Sequence, residues 1–169
     1  MAGFGMGGVS HNWASRADFQ VAGISLPHIM ARYSNDNAGA FSSIVEAGNV
    51  GNDILGNFSV VFDYKRGQLW LEFVPGFKMP PFSRGGMSIS KNRADGFEVA
   101  VVVPGGPASA AGILPGDWIR IVDGVPATRI SLDVLRRKLR QAPGTRVALD
   151  IDRKGQPIST TIELKELLP

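Results

Sequence analysis

Apolar residues recur at every second position in several short runs of this chain, and a single helical stripe interrupts them in the second half. Phe58, Val60, Phe62 and Tyr64 keep the period of two that a strand needs, Lys65-Arg66-Gly67-Gln68 makes a turn, and Leu69-Trp70-Leu71-Glu72-Phe73 returns. Upstream, Asp18-Phe19-Gln20-Val21 and Ile24-Ser25-Leu26 predict a short hairpin around Ala22-Gly23. A loop rich in Ser, Asn, Asp and Gly separates the two hairpins and leads into Gly51-Asn52-Asp53-Ile54-Leu55-Gly56-Asn57-Phe58.

The run from Pro75 to Gly86 holds three prolines and several glycines, which neither a helix nor a central strand tolerates. It predicts a division of the chain into residues 1–78, a linker at 79–83 and a second unit at 84–169. In that second unit Phe97-Glu98-Val99-Ala100-Val101-Val102-Val103 predicts a buried strand, ended by Pro104-Gly105-Gly106. Pro107-Ala108-Ser109-Ala110-Ala111 predicts a short helix, with proline in the first turn and Gly112 as its stop. Asp117 to Val122 predicts another strand and Asp123-Gly124 a tight turn. Leu132, Leu135 and Leu139 then fall on one face of a helix that Ser131 caps, with Asp133 in its first turn and Arg136, Arg137, Lys138 and Arg140 toward its end, as the helix dipole favours. Pro143-Gly144 ends it. Two final strands, Val147-Leu149-Ile151 and Ile158-Thr160-Ile162-Leu164 in alternation, join through Arg153-Lys154-Gly155-Gln156.

Composition narrows the function classes. With 169 residues, 44% hydrophobic and 20% charged, the chain suits one ordinary domain or two small ones. The longest apolar stretch, around Val99 to Val103, is too short to span a bilayer. The absence of cysteine excludes disulfides, thiol catalysis and zinc–thiolate sites. His11 and His28 have no pairing that suits a metal, and no cofactor is expected. Ser10-His11 and Ser25 near His28 lack an orienting acid for a triad, and the glycine clusters do not form a phosphate loop. The net charge of +3 lies in the second unit, where 13 basic residues face 9 acidic ones, against 5 and 6 in residues 1–83. No aromatic residues interleave with the bases, so nucleic acid is not an expected partner; the excess suits a solvated surface that favours acidic peptides.

The order strand, Pro104-Gly105-Gly106-Pro107-Ala108-Ser109-Ala110-Ala111-Gly112, Leu114-Pro115-Gly116-Asp117-Trp118-Ile119, Asp123-Gly124, helix, Pro143-Gly144-Thr145, hairpin resembles the PDZ domains of bacterial envelope proteases. The resemblance implies an antiparallel β-barrel or sandwich capped by two helices. It implies that Ala108, Ala110 and Ala111 let the short helix approach the sheet, that Gly116 takes a backbone angle larger residues resist, and that Asp117 accepts turn amides. It also implies that an extended peptide adds to a sheet edge with its C-terminal carboxylate on backbone amides of a Gly-rich loop. The matching residues are Gly85, Gly86, Met87, Ser88, Ile89 and Ser90, with the amides of Met87 to Ile89 meeting the carboxylate. Leu132, Leu135, Arg136 and Leu139 form the opposite wall. Many such domains have glycine where Ser88 stands, and a side chain there bears on the choice between terminal and internal peptide segments.

Residues 1–78 resemble the closing portion of a retropepsin-type aspartic peptidase lobe. There, a hydrophobic-hydrophobic-glycine element, here Ile54-Leu55-Gly56, precedes a strand, an aspartate near its end (Asp63) and a return strand; Gly3 to Gly8 falls near the flap. Such enzymes share one proton between two carboxylates, each from an Asp-Thr-Gly or Asp-Ser-Gly turn. Asp18, Asp36, Asp53 and Asp63 are followed by Phe, Asn, Ile and Tyr, so this chain holds no catalytic residue of that kind. Asp53 and Asp63 read as turn and strand-end residues.

Together these readings predict a mainly β, α+β chain: a partial acid-protease-like lobe followed by a peptide-binding unit that captures or gates protein substrates. The alternative is a non-enzymatic adaptor or secretion-system interaction module. Expected partners are peptide or protein segments, C-termini among them. Half a lobe leaves unpaired sheet edges, so the chain is expected to form a homodimer, to swap strands or to leave residues 1–50 partly disordered. A periplasmic or envelope location is what the resemblance implies.

Overall fold

The computed structural model describes residues 2–5, 8–21, 23–35, 42, 45, 48–76, 81–91 and 95–167. The Gly3–Gly8 flap reading and the linker at 79–83 fall partly outside them.

In the first half, β1 (Ala2–Gly5), β2 (Gly8–Val21) and β3 (Ile24–Ser34) form an antiparallel sheet. The expected hairpin is present with Gly23 at φ +79° in its turn, but its strands run much longer than the apolar pattern indicated. A register shift between Ala17 and Phe19 explains part of this. There Pro27 and His28 of β3 bulge opposite the single residue Asp18 of β2, which accepts the His28 amide at 2.9 Å, with His28 at φ +57°. The bulge reverses which side chains point inward, so Leu26 and Ile29 are both buried despite their odd spacing.

A four-residue helix, α1 (Asn52–Leu55), follows where only a loop and turn were expected, and Asp53 stands in its first turn. Asn57 holds the helix end: buried, it donates its side-chain amide to the carbonyls of Asp53 and Ile54 at 3.0 and 2.7 Å. Then β4 (Phe58–Asp63) and β5 (Gln68–Phe73) pair as a hairpin. Asp63 ends its strand as expected, and Arg66 closes the turn on it with backbone and guanidinium bonds of 3.0 and 2.8 Å. Phe58, Val60 and Leu71 pack on Leu26, Ile29 and Ile54 as a small core.

The second half is one antiparallel sheet in the order β11-β10-β8-β7-β6. Its strands are β6 (Met87–Ser90), β7 (Phe97–Val102), β8 (Trp118–Val122), β10 (Arg146–Arg153) and β11 (Gln156–Glu163), with the short β9 (Val125–Pro126) beside β8. α2 (Pro107–Ala110) and α3 (Leu132–Lys138) are the two expected helices, and a 3₁₀ turn at Ala127–Arg129 precedes α3. Ser131 caps α3 as expected, accepting the Val134 amide at 3.3 Å. Gly116 lies at φ +88° and Asp117 accepts the Leu114 amide at 2.8 Å, both in line with the sequence. Phe97, Val99, Ile119, Leu135, Leu139, Leu149 and Ile162 form the core, with Ala108 fully buried where α2 presses on it.

The sheet is not a closed barrel, which corrects one expectation. Its outer strands, β6 and β11, share no ladder. A backbone bond of 3.2 Å from the Lys165 amide to the Arg84 carbonyl, with the Arg84–Glu166 ion pair beside it, joins the segments flanking them. Leu135 and Leu139 of α3 fill the core where closing strands would meet. Among the described residues, no helix is long and apolar enough to cross a membrane.

Candidate functional site

Among the described residues the edge strand β6 pairs only with β7, so its other side offers unused backbone groups. The Val103 amide donates to the Gly86 carbonyl at 2.8 Å and Ser88 stands opposite Val101. The two groups of one peptide unit point in opposite directions, so the Met87 N–H and C=O both face away from β7.

The loop before β6 extends this arrangement. The carbonyls of Arg84, Gly85 and Gly86 accept amides from Lys165, Ala108 and Val103 at 3.2, 3.0 and 2.8 Å. With three successive carbonyls committed to the body of the domain, the amides of Gly85, Gly86 and Met87 are turned the other way. None of the three has an acceptor among the described residues. Gly86 sits at φ +68°, in the left-handed region that glycine adopts at no steric cost. The amides without an acceptor among the described residues are thus those of Gly85 to Met87, two residues earlier than the Met87-to-Ile89 set read from the sequence, and the Ser88 amide belongs to the ladder with β7.

Arg84 fixes the loop in place. Its backbone amide donates to the Leu139 carbonyl at 2.7 Å. Its guanidinium bonds the carbonyls of Arg140 and Gln141 at 2.9 and 3.2 Å and the Glu166 carboxylate at 3.0 Å. The loop is therefore fastened to the end of α3. Gly85 lies so close to it that a β-carbon there would come within 2.9 Å of a Leu139 methyl.

A cavity of about 240 Å³ opens along this edge. Gly86, Met87, Ser88, Ile89, Arg136 and Leu139, six of the expected site residues, line it. Met87 and Ile89 serve in the core and in the cavity wall at once, being 7% and 6% exposed. Gly85 backs the loop; Ser90 lies at the far end of β6 opposite Glu98. Leu135 is wholly within the core and Leu132 packs against it, so neither forms cavity wall.

Other lining residues were not foreseen. Ser83 places a buried hydroxyl oxygen there that has no hydrogen-bond partner among the described residues. Arg140 lies one helical turn beyond Arg136, a spacing that could have flagged it. Met30 and Arg32 from β3, and Asp53 from α1, close the cavity from the side of the first half. They reach it because the bulge at Pro27-His28 turns Ile29 into the small core and thereby Met30 and Arg32 to the opposite face. No sequence signal marks that reversal.

Comparison with known proteins bears on this architecture. Residues 98–153 match the family described as PDZ domain, a span that takes in β7 through β10 with both helices but not β6. The chain is 43% identical over 61 residues to the Regulator of sigma-E protease RseP of Escherichia coli, covering 36% of this chain and 13% of that protein. It is 33% identical over 89 residues to the Carboxyl-terminal-processing protease of Synechocystis, covering 50% and 21%. The chain thus spans about a fifth or less of the length of these relatives. Among solved structures, the serine endoprotease from Yersinia pestis aligns at 35% identity over 48% of this chain and 28% of that one, with a TM-score of 0.40. The HtrA3 PDZ domain bound to a phage-derived ligand aligns at 20% over 47% and 82%, with a TM-score of 0.41.

Proposed function

We propose, from the premise that this chain carries a PDZ domain related to those of proteases, that its groove between β6 and α3 takes an extended peptide as an added strand. The observation that carries this reading is the set of free amides at Gly85, Gly86 and Met87, above a pocket of Met87, Ile89 and Leu139. A terminal carboxylate fits the concavity, the neighbouring hydrophobic side chain fits the pocket, and the Met87 backbone pairs with the ligand strand.

Peptides ending in a hydrophobic residue, as free acid and as C-terminal amide, test this by NMR titration. Shifts at residues 85–90 and 131–141 with the acid and not with the amide are expected. Equal shifts with both forms would assign the groove to internal segments, with the Ser88 side chain as the cause. No shift with either form would overturn peptide capture.

At the level of the whole protein, the chain reads as the non-catalytic C-terminal part of a PDZ-bearing aspartic peptidase of the periplasm or envelope. In that reading the groove captures or gates substrates. Support comes from the order of Ile54-Leu55-Gly56, the β4–β5 hairpin and the PDZ domain along the chain. The catalytic aspartate then lies upstream. A longer protein that cleaves peptides, and ceases to when that aspartate becomes asparagine, is the expected result. A longer reading frame with no Asp-Thr-Gly or Asp-Ser-Gly would leave the adaptor reading in its place.

A further inference from the structure

The peptide cavity has a wall that does not belong to the PDZ domain. Met30 and Arg32 sit two residues apart on β3, hence on one face, and that face looks onto the cavity from the side of the first half. Arg32, Arg136 and Arg140 line the space against a single carboxylate, Asp53, a formal excess of two positive charges.

These charges are largely uncommitted. Arg32 and Arg140 make no ion pair among the described residues, and Arg136 reaches Asp133 only at 3.9 Å on the exposed surface. Arg16 and Arg84 nearby are by contrast held by Glu166, at 3.3 and 3.0 Å. Beside the cationic wall the Ser83 hydroxyl is buried with no partner among the described residues, a polar group left for a ligand to satisfy. A ligand carrying only its terminal carboxylate would answer one of these charges and leave the rest unmatched.

Resting on the peptide-groove reading above, we infer that Arg32 of the first half joins Arg136 and Arg140 in selecting peptides with an acidic side chain among the three residues preceding a hydrophobic C-terminus. Specificity for charge then resides in the pairing of the two halves, and Arg32 is a specificity-determining residue supplied from outside the domain that holds the backbone. An acidic side chain gains attraction there and a basic one meets like charge, which also rejects wrong ligands.

The experiment is a fluorescence-anisotropy titration of the full chain with hexapeptides ending in valine, carrying Glu, Gln or Lys at those three positions. The Glu peptide is expected to bind about tenfold tighter than the Lys peptide, with a gap that narrows as salt is raised. Arg32→Glu, on an exposed side chain, should leave the melting temperature unchanged and close most of the Glu–Lys gap. Arg32→Lys should keep the gap. If the Gln peptide binds and the gap is absent, or survives Arg32→Glu, the role of Arg32 is overturned and the groove reading stands. If no peptide binds, the groove reading falls and this inference with it.

Discussion

Arg153 grips Asp117 with two parallel bonds, Nε to one carboxylate oxygen at 2.7 Å and an Nη to the other at 2.8 Å. Asp117 is 1% exposed, and the same guanidinium also donates to the Gly112 carbonyl. The pair therefore ties the end of α2, the turn before β8 and the end of β10 into one unit. Burial pushes the Asp117 carboxyl up, but the bonds from Arg153 and from the Leu114 amide, with the attraction of the guanidinium, outweigh it and hold the acid below its ordinary value. The partner shifts to match: its bond to Asp117 holds the Arg153 guanidinium above its usual range.

Asp117→Asn replaces charge-assisted bonds at a buried acceptor with weaker neutral ones, and a loss of about 1–2 kcal/mol of stability at neutral pH is expected. The pH dependence has a definite sign. A carboxyl whose folded value is depressed contributes fully above its unfolded value of about 4, and the contribution is lost as pH falls through the lower, folded value. Urea melts at pH 7, 5 and 3 should show the gap between the two proteins steady from 7 to 5 and shrinking at 3. A gap that does not change with pH would show that the carboxylate charge is not what holds these elements.

Gly86 answers to two constraints. Its φ of +68° is strained for other residues, and a β-carbon would sit 3.0 Å from Pro107 at the start of α2. Gly86→Ala is expected to cost about 1–2 kcal/mol and to turn the three loop amides off their common focus. Binding of a free-acid peptide should then weaken at least about tenfold while that of an internal segment pairing along β6 changes less. Equal weakening of both in isothermal titration would mean that the loop does not read a carboxylate.

Gly96 tests packing on the far side of the sheet. A β-carbon there would lie 2.7 Å from the Ile119 carbonyl oxygen and 2.3 Å from the Trp118 ring nitrogen. Because one of these neighbours is backbone in β8, the strand must move to admit a methyl group. Gly96→Ala should therefore lower stability by about 1–3 kcal/mol with the peptide groove unaffected. A variant as stable as the natural protein would show that β8 yields without cost.

What the chain disclosed in advance was what depends on near neighbours. Val147, Leu149 and Ile151 alternate within one strand, Leu132, Leu135 and Leu139 recur within one helix, and Ser131 caps the helix three residues ahead of the amide it accepts. The glycine run beside β6 was legible for the same reason, since Gly85 and Gly86 directly precede the strand. Pairings between distant residues left no trace: Arg153 is 36 residues from Asp117, and Arg84 is 82 from Glu166. Arg32 escaped because a bulge at Pro27-His28 decides its direction, and α1 because four residues are too few to show a period.

The β4–β5 hairpin has more apolar surface than its core uses. Phe58, Val60 and Leu71 pack inward, but Phe62 and Leu69, next along the same face, are 55% and 48% exposed, and Tyr64 stacks on Phe62 with ring centres 6.0 Å apart. On the other face Val61 stands opposite an exposed Trp70. A two-stranded sheet is marginal in water by itself, and among the described residues both its edges are unpaired. Self-association through this hairpin is expected, with sedimentation velocity showing a shift toward dimer as concentration rises. Phe62→Ser with Trp70→Thr should abolish the shift without altering the peptide affinity of the groove, since no residue of the hairpin lines that cavity. A concentration dependence that survives both changes would place the contact elsewhere, and a monomer throughout would mean the hairpin does not associate with itself.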